Sequence, residues 1–491
     1  MKNIILGLLL LISGRLSAQH FGPIANGYYS GIHAAKINPA LTAYTPYKWH
    51  LNLVGIWANV NNNYLSLHLP YSAYKYINNG MAPQYKDENG NPKFDTSWLH
   101  EHINNRNKHA AAGAMLYGPS FTIKIKRWHL GLVTDATGLA RISGLSENLA
   151  HAFYKELDSA RGAFQYFYWD KNNNVQIHKT TLSTNAWISA GANVSYSLPM
   201  AWKKELMFGA TIKKVWGMGG NYLQYDNMTL HQVGPDSITL SGTNVRYSEY
   251  YNNGKGMGLD FGIAYVYHKP EYRQQGGYSD KHTRYLWKLG LSVLDIGKIR
   301  YKDAYYTTIV NNNTIGWNIR NDQNKFQNQG NGVGVADNVL NELPNMKHVN
   351  RKEIIGLPTR IAFTADYQIM PDLYLNTTWV QSLRSRYSVH ARHQSYVMLA
   401  PRYEREFFEF SLPVFLEYDY RSLRAGASLR MGWFYIGSNS VVSMLYTRAL
   451  RDADVYMGIT ISDLPGKWRD RKIKEMEKKK SDNKAHDCEK M

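Results

Sequence analysis

Six charged residues stand at alternate positions in otherwise apolar runs: Asp260 in 259–267, Lys288 in 287–293, Arg360 and Asp366 in 360–369, and Arg424 and Arg430 in 423–431. The chemistry open to them is ion pairing and the lining of a polar interior, because carboxylates and cations on one face neutralise each other. His100-Glu101-His102 and the pair His390 and His393 carry metal-ligating side chains, but no third or fourth ligand is identifiable and they read as loop or rim histidines. There is no Gly-x-Ser-x-Gly elbow, no His-Glu-x-x-His, no phosphate-cradling loop and no carboxylate pair at a telling spacing. The expectation is a protein without enzymatic activity, catalytic residue, metal or cofactor.

The elements that position the six are strands. Successive side chains point to opposite faces, so Leu259, Phe261, Ile263, Tyr265 and Tyr267 share one face and Asp260, Gly262 and Ala264 the other. In 287–293, Trp287, Leu289, Leu291 and Val293 oppose Lys288, Gly290 and Ser292. A soluble sandwich would alternate in the same way. The recurrence of such runs to the end of the chain, with aromatics at their ends, instead favours a transmembrane β-barrel whose apolar face meets lipid. Arg424 and Arg430 on one face would cost about 2–4 kcal/mol each at the lipid midplane, so that face lines the lumen.

Composition agrees. Mean hydropathy is −0.45, and no apolar run after the N-terminus reaches the roughly 18–20 residues of a spanning helix. A barrel strand needs only about 10 residues, half of them apolar, so a hydrophilic average is compatible with it. The 37 tyrosines and 13 tryptophans suit interfacial girdles, although an aromatic-rich adhesin or propeller would also use them. The net charge of +19 is scattered, with no recognition helix or aromatic platform, so no nucleic acid is expected. Outer-membrane lipid and acidic or secretion-associated periplasmic proteins are the expected partners. Cys488 is the only cysteine, which excludes an intrachain disulfide.

In chain order, Lys2 and the apolar stretch 4–12, followed by Ser17-Ala18, predict a secretory signal over 1–18. Residues 19–48 are rich in turn formers and carry Asn38-Pro39-Ala40; they are expected in the lumen or under the barrel on the periplasmic side. The barrel is assigned to 49–463 and a charged periplasmic tail to 464–491. Connections near 126, 200, 370, 406 and 433 are short and those over 72–110, 143–182, 218–255 and 297–357 long, which places the long ones outside the cell. Ser146 caps a helix expected over 146–159. Counting strand runs, with 65–69 and 434–446 among them, gives an odd number, whereas both ends in the periplasm require an even one, so either a strand is missed, with 25–48 the candidate stretch, or one is counted in excess. The fold class is therefore all-β, a single antiparallel transmembrane barrel of 14 to 16 strands with long extracellular loops.

Ile37-Asn38-Pro39-Ala40-Leu41 near the start, the tyrosine-rich barrel and the late 432–438 stretch Gly-Trp-Phe-Tyr-Ile-Gly-Ser together resemble the PorP/SprF-like and related outer-membrane barrels of Bacteroidota. That resemblance implies an outer-membrane component, in some members tied to type IX secretion and gliding, and carries over no functional residues. The Asn-Pro-Ala segment is also similar to that of the long-chain fatty-acid transporters, which implies passage of a hydrophobic molecule. The expected role is a structural or secretion-associated one. Transport of a small solute and a surface adhesin are the alternatives.

Overall fold

The computed structural model describes residues 22–68, 82–86, 96–158, 167–201, 203–234, 237–241, 244–268, 285–310, 315–318, 347–446 and 449–463. The expected signal (1–18), the tail 464–491 and Cys488 lie outside them.

The wall is a closed antiparallel ring of fourteen strands. In chain order these are β1 (Trp49–Asn62), β2 (Lys108–Tyr117 and Ser120–Ile125), β3 (Trp128–Leu145), β4 (Thr180–Ala201), β5 (Lys204–Tyr225), β6 (Asn244–His268) and β7 (Tyr285–Val310). Then come β8 (Lys347–Gly356 and Arg360–Met370), β9 (Leu373–Ser382), β10 (Tyr396–Glu404), β11 (Phe408–Ser411 and Val414–Glu417), β12 (Ser422–Ala425 and Ala427–Met431), β13 (Phe434–Ser438) and β14 (Asp452–Ser462). Each pairs with its neighbour in sequence, and β14 closes onto β1 with His50 opposite Ser462 and Asn61 opposite Asp452. Closure leaves no long unpaired edge, the condition for a sheet to stand in hydrocarbon. Three of the four interrupted strands break at Pro119, Pro358 and Pro413, which cannot donate to a ladder. The break in β2 is bridged, since Gly118 N donates to Thr134 O at 2.9 Å and Thr134 N to the Ser120 hydroxyl at 2.9 Å.

The face pattern follows the sequence period. Phe261 and Ile263 are 50% and 39% exposed on the outside, and Leu289 and Leu291 stand beside them, whereas Asp260 and Lys288 are buried inside. These apolar side chains meet no second sheet; they form the lipid-facing surface of a Gram-negative outer-membrane barrel. The strand ends flanking 126–127, 202–203, 371–372, 405–407 and 432–433 share the periplasmic end of the ring, and those flanking 63–107, 146–179, 226–243, 311–346 and 383–395 the outer end.

Four expectations need correction. The run 65–69 is not a wall strand: Leu65–His68 pairs with Leu99–Glu101 and Ala449–Leu450 in a small outer sheet, and this was the extra strand that broke the parity. No barrel strand lies within 25–48, whose described residues form short helical turns. The polar stretches 218–255 and 297–357 are not simply loops. β6 and β7 are 25 and 26 residues long, well beyond the roughly 9–11 needed to cross, so their ends rise above the membrane where both faces are polar and alternation is lost. The run 434–446 stops as a strand at Ser438, because the Asp454 carboxylate accepts from Asn439 N at 2.7 Å and from the Ser440 hydroxyl at 2.7 Å; a helix, Val441–Tyr446, takes its place.

The helix Glu147–Asp158 begins after Ser146, whose hydroxyl accepts from Leu149 N at 3.3 Å. Its Ala152 packs with Phe167, Val175, Ile177 and Leu230 on a four-stranded outer sheet of Asn174–Ile177, Met228–Gly234, Ser237–Ser241 and Ile315–Asn318.

Candidate functional site: a filled lumen

Residues 22–47 lie inside the ring as the turns Gly22–Asn26, Gly31–Lys36 and Pro39–Ala43, and nearly all of them are buried. Asn38 caps the third turn by accepting from Ala40 N at 2.9 Å, and Pro39 supplies the preset φ of a first helical position. The Asn38 amide also donates to the carbonyls of Ile263 at 3.0 Å and Leu291 at 3.3 Å, on β6 and β7. Such an approach is possible because the wall there is glycine. A Cβ on Gly262 would fall 2.0 Å from Asn38 Oδ1, one on Gly290 2.9 Å from Asn38 Nδ2, and one on Gly209 of β5 2.3 Å from Ala40 N. Asn38-Pro39-Ala40 thus sits on a three-glycine floor. Thr42 extends the seat to β4, 2.7 Å from the Ser195 hydroxyl and 2.9 Å from Asn193 Oδ1.

Charge holds the rest. Lys36 pairs with Asp135 of β3, and the Arg360 guanidinium reaches its carbonyl at 3.4 Å. Beside this contact, Lys213 bridges Asp260 at 2.8 Å and Asp295 at 2.6 Å, and Arg360 closes on Asp295. Nearer the periplasm, Lys288 donates to Asn26 O at 2.6 Å and lies 3.4 Å from Asp366, which Arg402 (2.7 Å) and the Tyr285 hydroxyl (2.7 Å) also contact. Arg402 continues to Glu404 at 2.9 Å, Glu404 accepts from Tyr29 N at 3.0 Å, and Glu409 pairs with Arg430 at 3.1 Å. Arg424 pairs with Glu417 (2.9 Å) and Asp452 (3.0 Å), closer to the outer end. A buried charge without a partner is costly, so each cation here is set against a carboxylate.

All six charged residues read from the sequence are buried on the inner face, in four groups: Asp260 and Arg360 linked through Lys213 and Asp295, Lys288 with Asp366, Arg424 with Glu417 and Asp452, and Arg430 with Glu409. Sequence reasoning missed Lys36, Asp135, Asp295, Arg402, Glu404 and Glu409. Strand parity signalled some of these, but Asp295 has φ +56° at an irregularity in the β6–β7 register, which defeats an alternation count.

From the outer side, the loop 383–395 enters the mouth. Tyr387 O accepts from Thr181 Oγ1 at 3.1 Å and from Gln224 Nε2 at 2.8 Å, Ser388 O accepts from Arg141, and Arg392 pairs with Asp419 at 2.6 Å. One cavity of ≈ 20 Å³ lies between Ala35 and Lys36 of the plug and His393 of the loop, and another of ≈ 20 Å³ lies between the loop residues Arg392 and Gln394 and the wall, each with room for about one water. Burial, then the nearby His50, holds His33 of the plug well below the ordinary imidazole range; burial, then Arg360, does the same for His393 of the loop. Among the described residues no group of histidines and carboxylates could hold a metal ion.

The fold and its contents define a class: an outer-membrane β-barrel whose lumen is filled by its own N-terminal segment. Within that class the chain belongs to the family described as a family of unknown function (DUF5723), whose model matches residues 39–439. The PorP/SprF-like relationship suggested by the short motifs is not shown by this match. No curated protein matches the sequence. Similar solved structures are outer-membrane barrels. A FadL homologue of Pseudomonas aeruginosa has TM-score 0.36 and 13% identity over 87% of this chain and 93% of its own. The Pseudomonas putida toluene transporter TodX has TM-score 0.29 and 10% identity over 89% and 95%. The translocator domain of the autotransporter NalP from Neisseria meningitidis has TM-score 0.27 and 9% identity over 83% and 88%. At these values the likeness carries nothing about a ligand.

Proposed function

We propose that the protein is a non-enzymatic, occluded outer-membrane barrel that serves the cell envelope as a structural or secretion-associated component of type IX-like kind. The observation that carries this reading is the filled lumen. A barrel sealed by Asn38-Pro39-Ala40 on its glycine floor and by loop 383–395 at its mouth works through the surfaces it presents rather than as an open pore. Crosslinking in native membranes followed by pull-down is the test. Recovery of periplasmic secretion components supports the role, and their absence at a crosslinking yield that captures other envelope neighbours removes it.

A second reading, passage of a small hydrophobic solute, has an observation of its own. β13 pairs with β14 only from Phe434 to Gly437, and the helix Val441–Tyr446 stands where the strand would continue, so the wall is thinner there. Solute uptake by reconstituted vesicles that depends on this chain would favour transport over the structural role.

A further inference from the structure

On β6 the outward positions from Tyr267 back to Met257 are Tyr267, Tyr265, Ile263, Phe261, Leu259 and Met257, about the length one strand needs to cross the hydrocarbon. Tyr265 and Tyr267 pack on Trp287 with ring centroids 5.1 and 5.7 Å apart, marking the periplasmic interface. The outer interface therefore falls at Met257 and Lys255.

The strand register shows what stands beside these two residues. Met257 lies between Lys214 of β5 and Lys298 of β7, and the next row outward runs Trp216, Lys255, Arg300, Ile354 across β5 to β8. Lys302 and Lys352 follow one step further out, and all six basic side chains are exposed. Among the described residues none of the six forms an ion pair with a carboxylate, although Lys214 lies 5.3 Å from the Trp216 ring centre. Followed the other way, the Trp216 row continues as Ile188, Ala136, Leu116 and Ile56, which are all apolar. The six charges thus cluster on the lipid-facing side of β5–β8, beside the outer interface. Charges on that face are tolerated only near an interface, and clustered cations there attract anionic headgroups.

We propose that the outer face of β5–β8, built on Lys214, Lys255, Lys298, Arg300, Lys302 and Lys352, binds the phosphorylated headgroup of the glycolipid that forms the outer leaflet. The interleaved Trp216, Met257 and Ile354 lie against its acyl chains while the ammonium and guanidinium groups meet its phosphates.

The test is native mass spectrometry of the full chain in detergent micelles, titrated separately with bisphosphorylated lipid A, fully dephosphorylated lipid A and phosphatidylglycerol. The expected result is retention of bisphosphorylated lipid A at least about tenfold tighter than either of the others, a preference abolished by Lys255→Gln, Lys298→Gln and Arg300→Gln together. Lys255→Arg with Lys298→Arg should keep it. Equal retention of the dephosphorylated form or of phosphatidylglycerol by the unaltered protein overturns the proposal without any variant, and so does an undiminished preference in the folded triple variant.

Discussion

The side-chain amide of Asn38 lies 3.0 Å from the carbonyl oxygen of Ile263, a contact between a lumenal turn and the backbone of a wall strand made possible by the bare Gly262 beside it. A polar side chain bonding to wall carbonyls from inside ties the plug to the barrel without any charge.

Replacing Gly262 by leucine removes the floor. The added side chain has no space beside Asn38 Oδ1, so the turn Pro39–Ala43 must lift, at a cost of about 1–3 kcal/mol for overpacking. The barrel should still fold, as judged by heat-modifiable migration, while limited proteolysis cuts within 22–47 faster than in the unaltered protein. An unchanged cleavage rate would show that the seat does not hold the plug.

Lys36 and Asp135 test the charged latch. Lys36→Met leaves Asp135 with hydrogen bonds from the Ser189 hydroxyl at 3.0 Å and the Thr137 hydroxyl at 3.2 Å and with Lys213 as the nearby cation, and should destabilise by about 3 kcal/mol. Lys36→Met with Asp135→Leu should recover most of that loss. The four thermal melts form a double-mutant cycle, and additive effects would mean that the two groups are not coupled.

Two arginine pairs separate burial from proximity. Arg402 and Asp366 are side chains 1% and 0% exposed, whereas Arg405 and Asp372, at a similar 2.8 Å, are 64% and 25% exposed. Arg402→Gln removes the ion pair of Glu404 and leaves Asp366 with Lys288 at 3.4 Å as its remaining cation, and should cost several kcal/mol, while Arg405→Gln should change stability by less than about 1 kcal/mol. Similar losses of chemical stability in the two variants would contradict the buried clamp.

Acid should loosen the plug. His33 is held below the ordinary imidazole range when the plug is seated, so the released segment binds a proton that the seated one does not; seating is fully stabilised above about pH 6.5 and weakens as pH falls below it. Proteolysis within 22–47 should accelerate between pH 7.5 and pH 5, and His33→Gln should flatten the profile. A profile identical in the variant would place the pH dependence elsewhere.

The barrel was legible because a lipid-facing wall forces a two-residue period: Phe261 and Ile263 outward and Asp260 and Lys288 inward follow from position alone. Where lipid ends, so does that constraint, and the outer thirds of β6 and β7 carry polar residues on both faces and read as loops. Leu65–His68 alternates like a wall strand because a two-sided outer sheet imposes the same period. The partners of the lumenal charges were out of reach for another reason. Lys36 meets Asp135, and Lys288 meets the carbonyl of Asn26, only because the plug folds back into the ring, and no local pattern encodes that return.

Single-channel recording in planar bilayers tests the filled lumen most directly. The intact chain should show no steady ion conductance, and removal of residues 22–47 should produce stable open steps. Steady conductance from the intact chain, unchanged by the deletion, would contradict it.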